Sequence, residues 1–266
     1  RATVLMGVPT FYVRLLESTN LCAQAVAHMR LFISGSAPLL AETHKQWQDV
    51  TNTAILERYG MTETNMNTSN PYKGERRAGT VGMPLPGVEV RIADADSGQQ
   101  LAQGEIGSVE IRGPNVFKGY WQMPEKTKQE FRDDGFFITG DIGTIDGDNY
   151  LSIVGRSKDL IISGGYNVYP KEIEIILDDI EGVYESAVIG VPHPDFGEGV
   201  LAVVVLVAGQ SLNESHLKTI LKHKLAPYKR PKNIFFVEEL PRNTMGKVLK
   251  NTLRDQHKDN FIKHSG

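Results

Sequence analysis

The chain has 266 residues, 40% of them hydrophobic and 23% charged, an ordinary globular balance with room for one large domain or two smaller ones. A formal net charge of −3 gives no push toward nucleic acid or an anionic membrane surface. The longest apolar run, Val200 to Ala208, is too short to span a bilayer, and the lone Cys22 excludes an internal disulfide and fits a reducing, cytoplasmic compartment.

In chain order, Val4 to Leu16 reads as strand, turn and helix, with Pro9 in the first helical turn. Leu31 to Ile33 is a short strand feeding the small-residue loop Ser34-Gly35-Ser36-Ala37-Pro38, and a helix follows over Leu39 to Val50. Ala54 to Leu56 is a further strand, ending at Glu57-Arg58-Tyr59-Gly60. This alternation predicts a parallel α/β core, with ligands beyond the carboxyl ends of its strands, where both loops fall. After Pro71 the texture changes. Glycine and proline become frequent, and Val88, Val90 and Ile92 alternate, as do Val109 and Ile111, so residues 78–155 read as a small twisted sheet or barrel. A third texture starts near Ser157. Ile173, Ile176, Leu177 and Ile180 keep helical spacing, and strands follow at Ser186–Val191 and Leu201–Val207. A helix through Leu217, Ile220, Leu221 and Leu225, with Asn213 as its N-cap, precedes a last strand at Ile234–Val237. The fold class is α/β: part of a large domain over residues 1–156, then a small α+β domain over 157–266. The boundary lies inside the polar string Gly155-Arg156-Ser157-Lys158-Asp159, which suggests a hinge rather than an idle linker.

Four separated segments carry side chains suited to one chemistry. In Tyr59-Gly60-Met61-Thr62-Glu63-Thr64, Thr62 can donate to a phosphate oxygen and Glu63 can hold Mg²⁺, which takes one or two carboxylates together with substrate phosphates. In Thr139-Gly140-Asp141 the carboxylate can accept both ribose hydroxyls. Arg156 suits anionic oxygens. Lys247, in Asn243-Thr244-Met245-Gly246-Lys247, is a compact cation that could reach an α-phosphate and an attacking carboxylate together. Gly35 permits close backbone approach to a flat ligand, and the paired glycines of Ser163-Gly164-Gly165 leave room for a narrow chain. Each segment alone is an ordinary turn, cap or solvated charge. The seven histidines have no metal spacing, and no Ser-His-Asp order is recognisable.

In this order the segments resemble the adenylate-forming enzymes: acyl-CoA synthetases, luciferases and peptide-synthetase adenylation domains. The resemblance spans nearly the whole chain. It implies ATP, Mg²⁺ and coenzyme A as cofactors and substrates. It places adenine against Gly35, Ser36, Ala37 and the Tyr59 ring, with Gly60, Met61 and Thr62 completing the nucleotide loop. It gives Asp141 to the ribose, Arg156 to ribose and phosphate, Lys158 to the hinge, Ser163, Gly164 and Gly165 to the pantetheine tunnel, and Lys247 to the first half-reaction only. The family carries a Ser/Thr/Gly-rich phosphate loop well upstream, and none precedes Tyr59 here. Together with a start at Arg1 that reads as mid-domain, this leads us to expect a fragment of a larger enzyme.

The words Glu57-Arg58-Tyr59-Gly60-Met61-Thr62-Glu63-Thr64-Asn65-Met66-Asn67 and Asn115-Val116-Phe117-Lys118-Gly119-Tyr120-Trp121 look like malonyl-CoA synthetases, which activate malonate and often methylmalonate. Relatives acting on fatty or aromatic acids usually have a small or neutral residue where Arg58 stands. A guanidinium there can grip the second carboxylate of a dicarboxylic acid by two parallel hydrogen bonds. Alternatively, Arg58 pairs with a protein carboxylate and faces away. Ser34 is assigned with Arg58 to the acyl substrate. The expected activity is AMP-forming ligation of malonate, or methylmalonate, to coenzyme A. Another acid, a carrier-protein acceptor, and a non-catalytic nucleotide-binding module or inactive fragment are the alternatives. No nucleic-acid partner and no membrane span are expected. The basic cluster Lys218, Lys222, Lys224, Lys229, Arg230 and Lys232 reads as a solvated face, or as an attraction for the 3′-phosphate of coenzyme A.

Overall fold

In a computed structural model, residues 2–243 and 247–261 are described. The chain divides into two compact units, Arg1–Val154 and Gly155–Gly266.

The first unit begins with β1 (Val4–Gly7), α1 (Pro9–Leu16), a short α2 (Ala23–Val26) and β2 (Leu31–Ser34). Next come α3 (Ala41–Thr51), β3 (Leu56–Tyr59), β4 (Thr68–Ser69) and β5 (Met83–Pro84). The five strands form one sheet in chain order. β1, β2 and β3 run parallel, as the strand–helix alternation predicts, and β4 and β5 turn antiparallel. Helices α1 and α3 contribute Tyr12 and Trp47, both 0% exposed, to a core shared with Phe32, Leu39 and Ile55. The Tyr12 phenol donates to Ile33 O at 2.6 Å, so burying its polar tip leaves no unpaired hydroxyl. β3 starts two residues later than its apolar pattern suggests. Glu57, Arg58 and Tyr59 therefore lie on a strand that faces two different environments, and polar residues there mask the alternation.

A second sheet holds β6 (Glu89–Ala93), β7 (Gly107–Arg112), β8 (Phe137–Ile145) and β9 (Leu151–Arg156), in chain order; all of it belongs to the first unit except Gly155 and Arg156, the last two residues of β9. A one-and-a-half-turn helix, α4 (Pro124–Gln129), interrupts it between β7 and β8. The sheet is open, with β6 and β9 at its edges, and not a closed barrel. Its buried face is Ile92, Val109, Ile111 and Leu151, the alternating residues that announce it in the sequence.

The second unit holds β10 (Ile161–Ser163), β11 (Tyr166–Val168), α5 (Pro170–Asp178), β12 (Val183–His193), β13 (Gly197–Leu206), α6 (Glu214–Lys224), β14 (Asn233–Val237) and α7 (Lys250–His257). β13 is central, antiparallel to β12 and parallel to β14. Its apolar run is buried on both faces. Val200, Ala202 and Val204 join Ile173, Leu177, Leu217 and Leu221 of α5 and α6 in one core. Leu201, Val203 and Val205 join Leu240 and Leu253 of α7 in another. A strand covered on both sides needs no polar alternation, which is why Val200 to Ala208 reads as continuous. Burying each such side chain contributes about 1.5–3 kcal/mol. The Asn213 side chain accepts from His216 N at 2.9 Å, which makes it the N-cap of α6. No helix among the described residues is long and apolar enough to cross a membrane.

Candidate active site

The first unit gathers most of the candidate residues. β2 and β3 are adjacent parallel strands in the register Ile33–Leu56 and Ser34–Glu57. The Gly35–Pro38 and Gly60–Glu63 loops therefore leave the same edge of the sheet side by side, at the strand carboxyl ends where α/β sheets bind ligands. Ser36 has φ of 69°, left-handed backbone in a residue that seldom adopts it, and its side chain is exposed. A Cβ on Gly60 would stand 2.0 Å from Asn65 O, so no other residue fits that turn.

The Thr62–Glu63 turn is held from below. The Asn115 amide donates to Thr64 O at 2.7 Å and to Met66 O at 3.1 Å, and Phe117 N donates to Glu63 O at 2.7 Å. Thr62 is left exposed at the top. Glu63 Oε1 lies 3.1 Å from the Tyr120 phenol, which also lies 2.7 Å from Glu130 Oε2. Burial, reinforced by these two carboxylates, pushes the phenol's pKa up and keeps it protonated. Among the described residues no donor reaches Glu63 Oε2. A hard carboxylate oxygen beside an exposed hydroxyl is a donor set Mg²⁺ takes when substrate phosphates supply the rest, so these residues fit that ion. Among the described residues no group of three or more His, Cys, Asp or Glu could hold a metal by itself.

Asp141 lies within β8, 4% exposed. The register jumps there. Between the Ser108–Ile142 and Glu110–Ile138 pairs, Val109 alone faces Thr139, Gly140 and Asp141. Such a bulge re-aims a side chain, and this one brings the Asp141 carboxylate to Tyr59, whose phenol donates to Oδ2 at 2.5 Å. Thr139 Oγ1 fixes the bulge, donating to Val109 O at 2.7 Å and accepting from Asp141 N at 3.1 Å.

Arg58 lies across the small-residue loop. A Cβ on Gly35 would meet its guanidinium carbon at 2.9 Å, so Gly35 makes the space for it. Its described polar contact is a weak one to Met6 Sδ at 4.0 Å, and no described carboxylate pairs with it. Ser34 is 0% exposed and its Oγ lacks a partner, and no described contact joins it to Arg58. Sequence reasoning missed Glu57. It pairs in register with Ser34, is 3% exposed, accepts from Leu39 N at 3.1 Å through Oε1, and buries Oε2 without a partner. Burial pushes its carboxyl up to about 8, offset in part by the Leu39 N–H. A lone acid directly after the apolar Ile55-Leu56 was the available signal.

The second unit carries the remaining candidates. Arg156 is exposed at the end of β9, and Lys158 is exposed in a one-turn 3₁₀ helix, Ser157–Asp159. Gly164 and Gly165, with φ of 59° and 80°, form the two-residue turn of the β10–β11 hairpin, so turn geometry alone demands both glycines. Lys247 is exposed. Its N–H donates to Asn243 Oδ1 and its carbonyl accepts from Asn243 N, each at 2.9 Å, and Arg242 bridges to Val248. Thr244, Met245 and Gly246 of that string lie outside the described residues. Half of the basic cluster is compensated, because Lys218 pairs with Glu214, Lys224 with Asp179 and Lys229 with Glu172.

Comparison with known proteins fits this geometry. Residues 1–121 match the model of the AMP-binding enzyme family, and residues 172–247 match that of the AMP-binding enzyme C-terminal domain. The ATP-bound crystal structure of MatB from Rhodopseudomonas palustris is 63% identical, with a TM-score of 0.96 over 98% of this chain and 52% of that one. A malonate–CoA ligase of Arabidopsis thaliana is 42% identical over 95% of this chain and 44% of its own length. A probable CoA ligase of Humulus lupulus is 45% identical over 95% of this chain and 44% of its own. This chain belongs to the AMP-binding enzymes, the adenylate-forming superfamily. It spans about half the length of the relatives it matches.

Proposed function

We propose that this chain is part of an ATP-dependent, AMP-forming acid–CoA ligase that activates malonate, and methylmalonate with it. The observation that carries the reading is the meeting of Tyr59 and Asp141 beside the two loops at the carboxyl ends of β2 and β3. That arrangement offers an aromatic face for adenine and a carboxylate for the ribose. The malonate–CoA ligase of Arabidopsis thaliana supports malonate and coenzyme A as substrates, and the ATP-bound MatB supports ATP.

In this reading the substrate carboxylate attacks the α-phosphate of ATP, forming the acyl-adenylate as pyrophosphate leaves. Thr62 donates to phosphate oxygens, and Glu63, aimed by Tyr120, would hold Mg²⁺, which would supply charge neutralisation on the phosphates. Lys247 offsets the negative charge that builds as the two anions meet. Arg58 receives the second carboxylate of the acid, since no described protein carboxylate competes for it. Asp141 and Arg156 hold the ribose, and Gly35, Ser36, Ala37, Gly60 and Met61 line the nucleotide. Rotation about Lys158 then replaces Lys247 by the Ser163–Gly165 turn. The coenzyme A thiol, losing its proton, attacks the acyl carbonyl, and AMP leaves. Residues 1–156 and 157–266 are the two domains of this cycle.

The test is thioester formation by the full-length polypeptide with malonate, methylmalonate, acetate and succinate. Malonate is expected to give the highest kcat/KM. Acetate matching malonate would remove the role given to Arg58, and no thioester with any acid would remove the ligase assignment.

A further inference from the structure

α7 begins three residues after Lys247, and its own sequence explains its position poorly. Its first turn holds a lysine and no acid, its N-cap Leu249 makes no side-chain cap, and it is eight residues long. A cation at a helix N-terminus opposes the macrodipole, and a helix this short is marginal in isolation. Tertiary contacts therefore place it. Leu253, 1% exposed, enters the core beside Ile189 and Leu201. Lys250 Nζ donates to Glu174 Oε1 at 2.6 Å. Glu174, on α5, is 6% exposed and also accepts from Val188 N at 2.9 Å, with Lys171 3.9 Å away. Arg254 Nη2 donates to Asp159 Oδ1 at 2.7 Å. Lys250 and Arg254 are four residues apart, so they stand one above the other on the same helix face. One anchor is thus a buried carboxylate in the middle of the second unit. The other is a carboxylate in the 3₁₀ turn that carries Lys158.

The chain on the other side of Lys247 is fixed too. Arg242 pairs with Glu185 of β12, and Leu249 N donates to Pro241 O at 2.7 Å, closing the loop around Lys247. The loop's downstream stem therefore continues into a helix tied to Glu174 and to Asp159.

We propose that α7 is a strut: Glu174 and Asp159, through Lys250 and Arg254, are positioning residues that fix Lys247 relative to the Ser157–Asp159 turn. Neither carboxylate touches substrate. Their loss lets the Lys247 loop drift, and misplacing a reacting group by about 1 Å can cut a rate by about 100-fold. This rests on the reading that Lys247 serves adenylate formation, and it assigns that step two further residues.

The experiment uses the full-length polypeptide carrying Glu174→Gln, Asp159→Asn, Arg254→Met or Arg254→Lys. Pyrophosphate exchange reads the first half-reaction, thioester formation from pre-made malonyl-adenylate reads the second, and thermal unfolding reads the fold. Glu174→Gln, Asp159→Asn and Arg254→Met are each expected to lower the exchange kcat about 10- to 100-fold, with thioester formation and the KM for ATP within about 2-fold of wild type. Arg254→Lys keeps the pair's charge and is expected to recover most of the exchange rate. Equal losses in both half-reactions, or unchanged exchange, overturn the proposal. Should Glu174→Gln fail to fold, the more exposed Asp159–Arg254 pair still decides it. Lys247→Ala is the control: if that variant keeps pyrophosphate exchange, the reading of Lys247 has failed. If it abolishes exchange while the strut variants do not, only the strut has failed.

Discussion

Tyr59 and Asp141 are 82 residues apart in sequence, yet the Tyr59 phenol donates to Asp141 Oδ2 at 2.5 Å. The pair links the two sheets of the first unit and orients a carboxylate that is 4% exposed. In the proposed reading Asp141 accepts both ribose hydroxyls, and hydrogen bonds to a charged acceptor contribute about 1.5–3 kcal/mol. Asp141→Asn is expected to weaken ATP and AMP binding at least about 10-fold by calorimetry. Tyr59→Phe, which keeps the ring and loses only the orienting bond, is expected to do less. AMP binding unchanged in Asp141→Asn would remove the ribose assignment.

Arg58 offers a test of acid selection. Its guanidinium lies over Gly35 with no described carboxylate partner, so a second substrate carboxylate gains a charge-assisted contact without breaking an existing pair. Losing one partner of such a pair costs ~2–5 kcal/mol, so Arg58→Met is expected to cut kcat/KM for malonate by roughly 30-fold or more. Turnover of acetate, which has no second carboxylate, should hardly change. A parallel fall for both acids would instead make Arg58 a structural residue of the loop.

Glu57 makes stability depend on pH. Burial raises its carboxyl to about 8 from its ordinary 4.5, so the folded state holds this proton more tightly than the unfolded chain. Its contribution is fully present below about pH 4.5 and is lost as pH rises through about 8, on the order of a few kcal/mol in all. No charged side chain is among the causes of that shift, and His44, the buried histidine of α3, is driven toward its neutral form by burial and by Arg76. Glu57→Gln keeps an acceptor for Leu39 N and has no proton to lose. Denaturant unfolding between pH 5 and 9 should show the wild type losing stability as pH rises through about 8, a loss that the variant does not show. Parallel curves would place the titration elsewhere.

Much of this was legible because the relevant signals are local. The apolar alternation of Val88, Val90 and Ile92 and the continuous run from Val200 announce strands of different burial, and Asn213 announces the start of α6. The loops after β2 and β3 were legible for the same reason. What stayed hidden depends on the third dimension. The bulge that turns Asp141 toward Tyr59 follows from a register jump against β7, which no one-dimensional pattern encodes. Glu57 looked like part of a polar loop because its burial comes from the loop before α3 folding over it. α7 carries the wrong charge for its own N-terminus, and only the distant Glu174, which accepts from Lys250, explains that.

Lys247 gives the sharpest separation of the two half-reactions. Its side chain is exposed, and its backbone is clamped by Asn243 on both N–H and carbonyl. A flexible ammonium held on a fixed backbone suits a group that must reach two anions in one transition state and then withdraw. Lys247→Ala in the full-length polypeptide is expected to lower adenylate formation by about 100-fold or more, the scale on which one electrostatic donor acts. Thioester formation from supplied malonyl-adenylate should stay within about 3-fold of wild type, because an interaction made only in the first transition state lowers only that rate. Asn243→Ala removes the clamp but keeps the ammonium, so a smaller loss confined to the first step is expected. Pyrophosphate exchange and single-turnover thioester assays read the two steps separately, and an equal loss in both would deny Lys247 a role specific to adenylation.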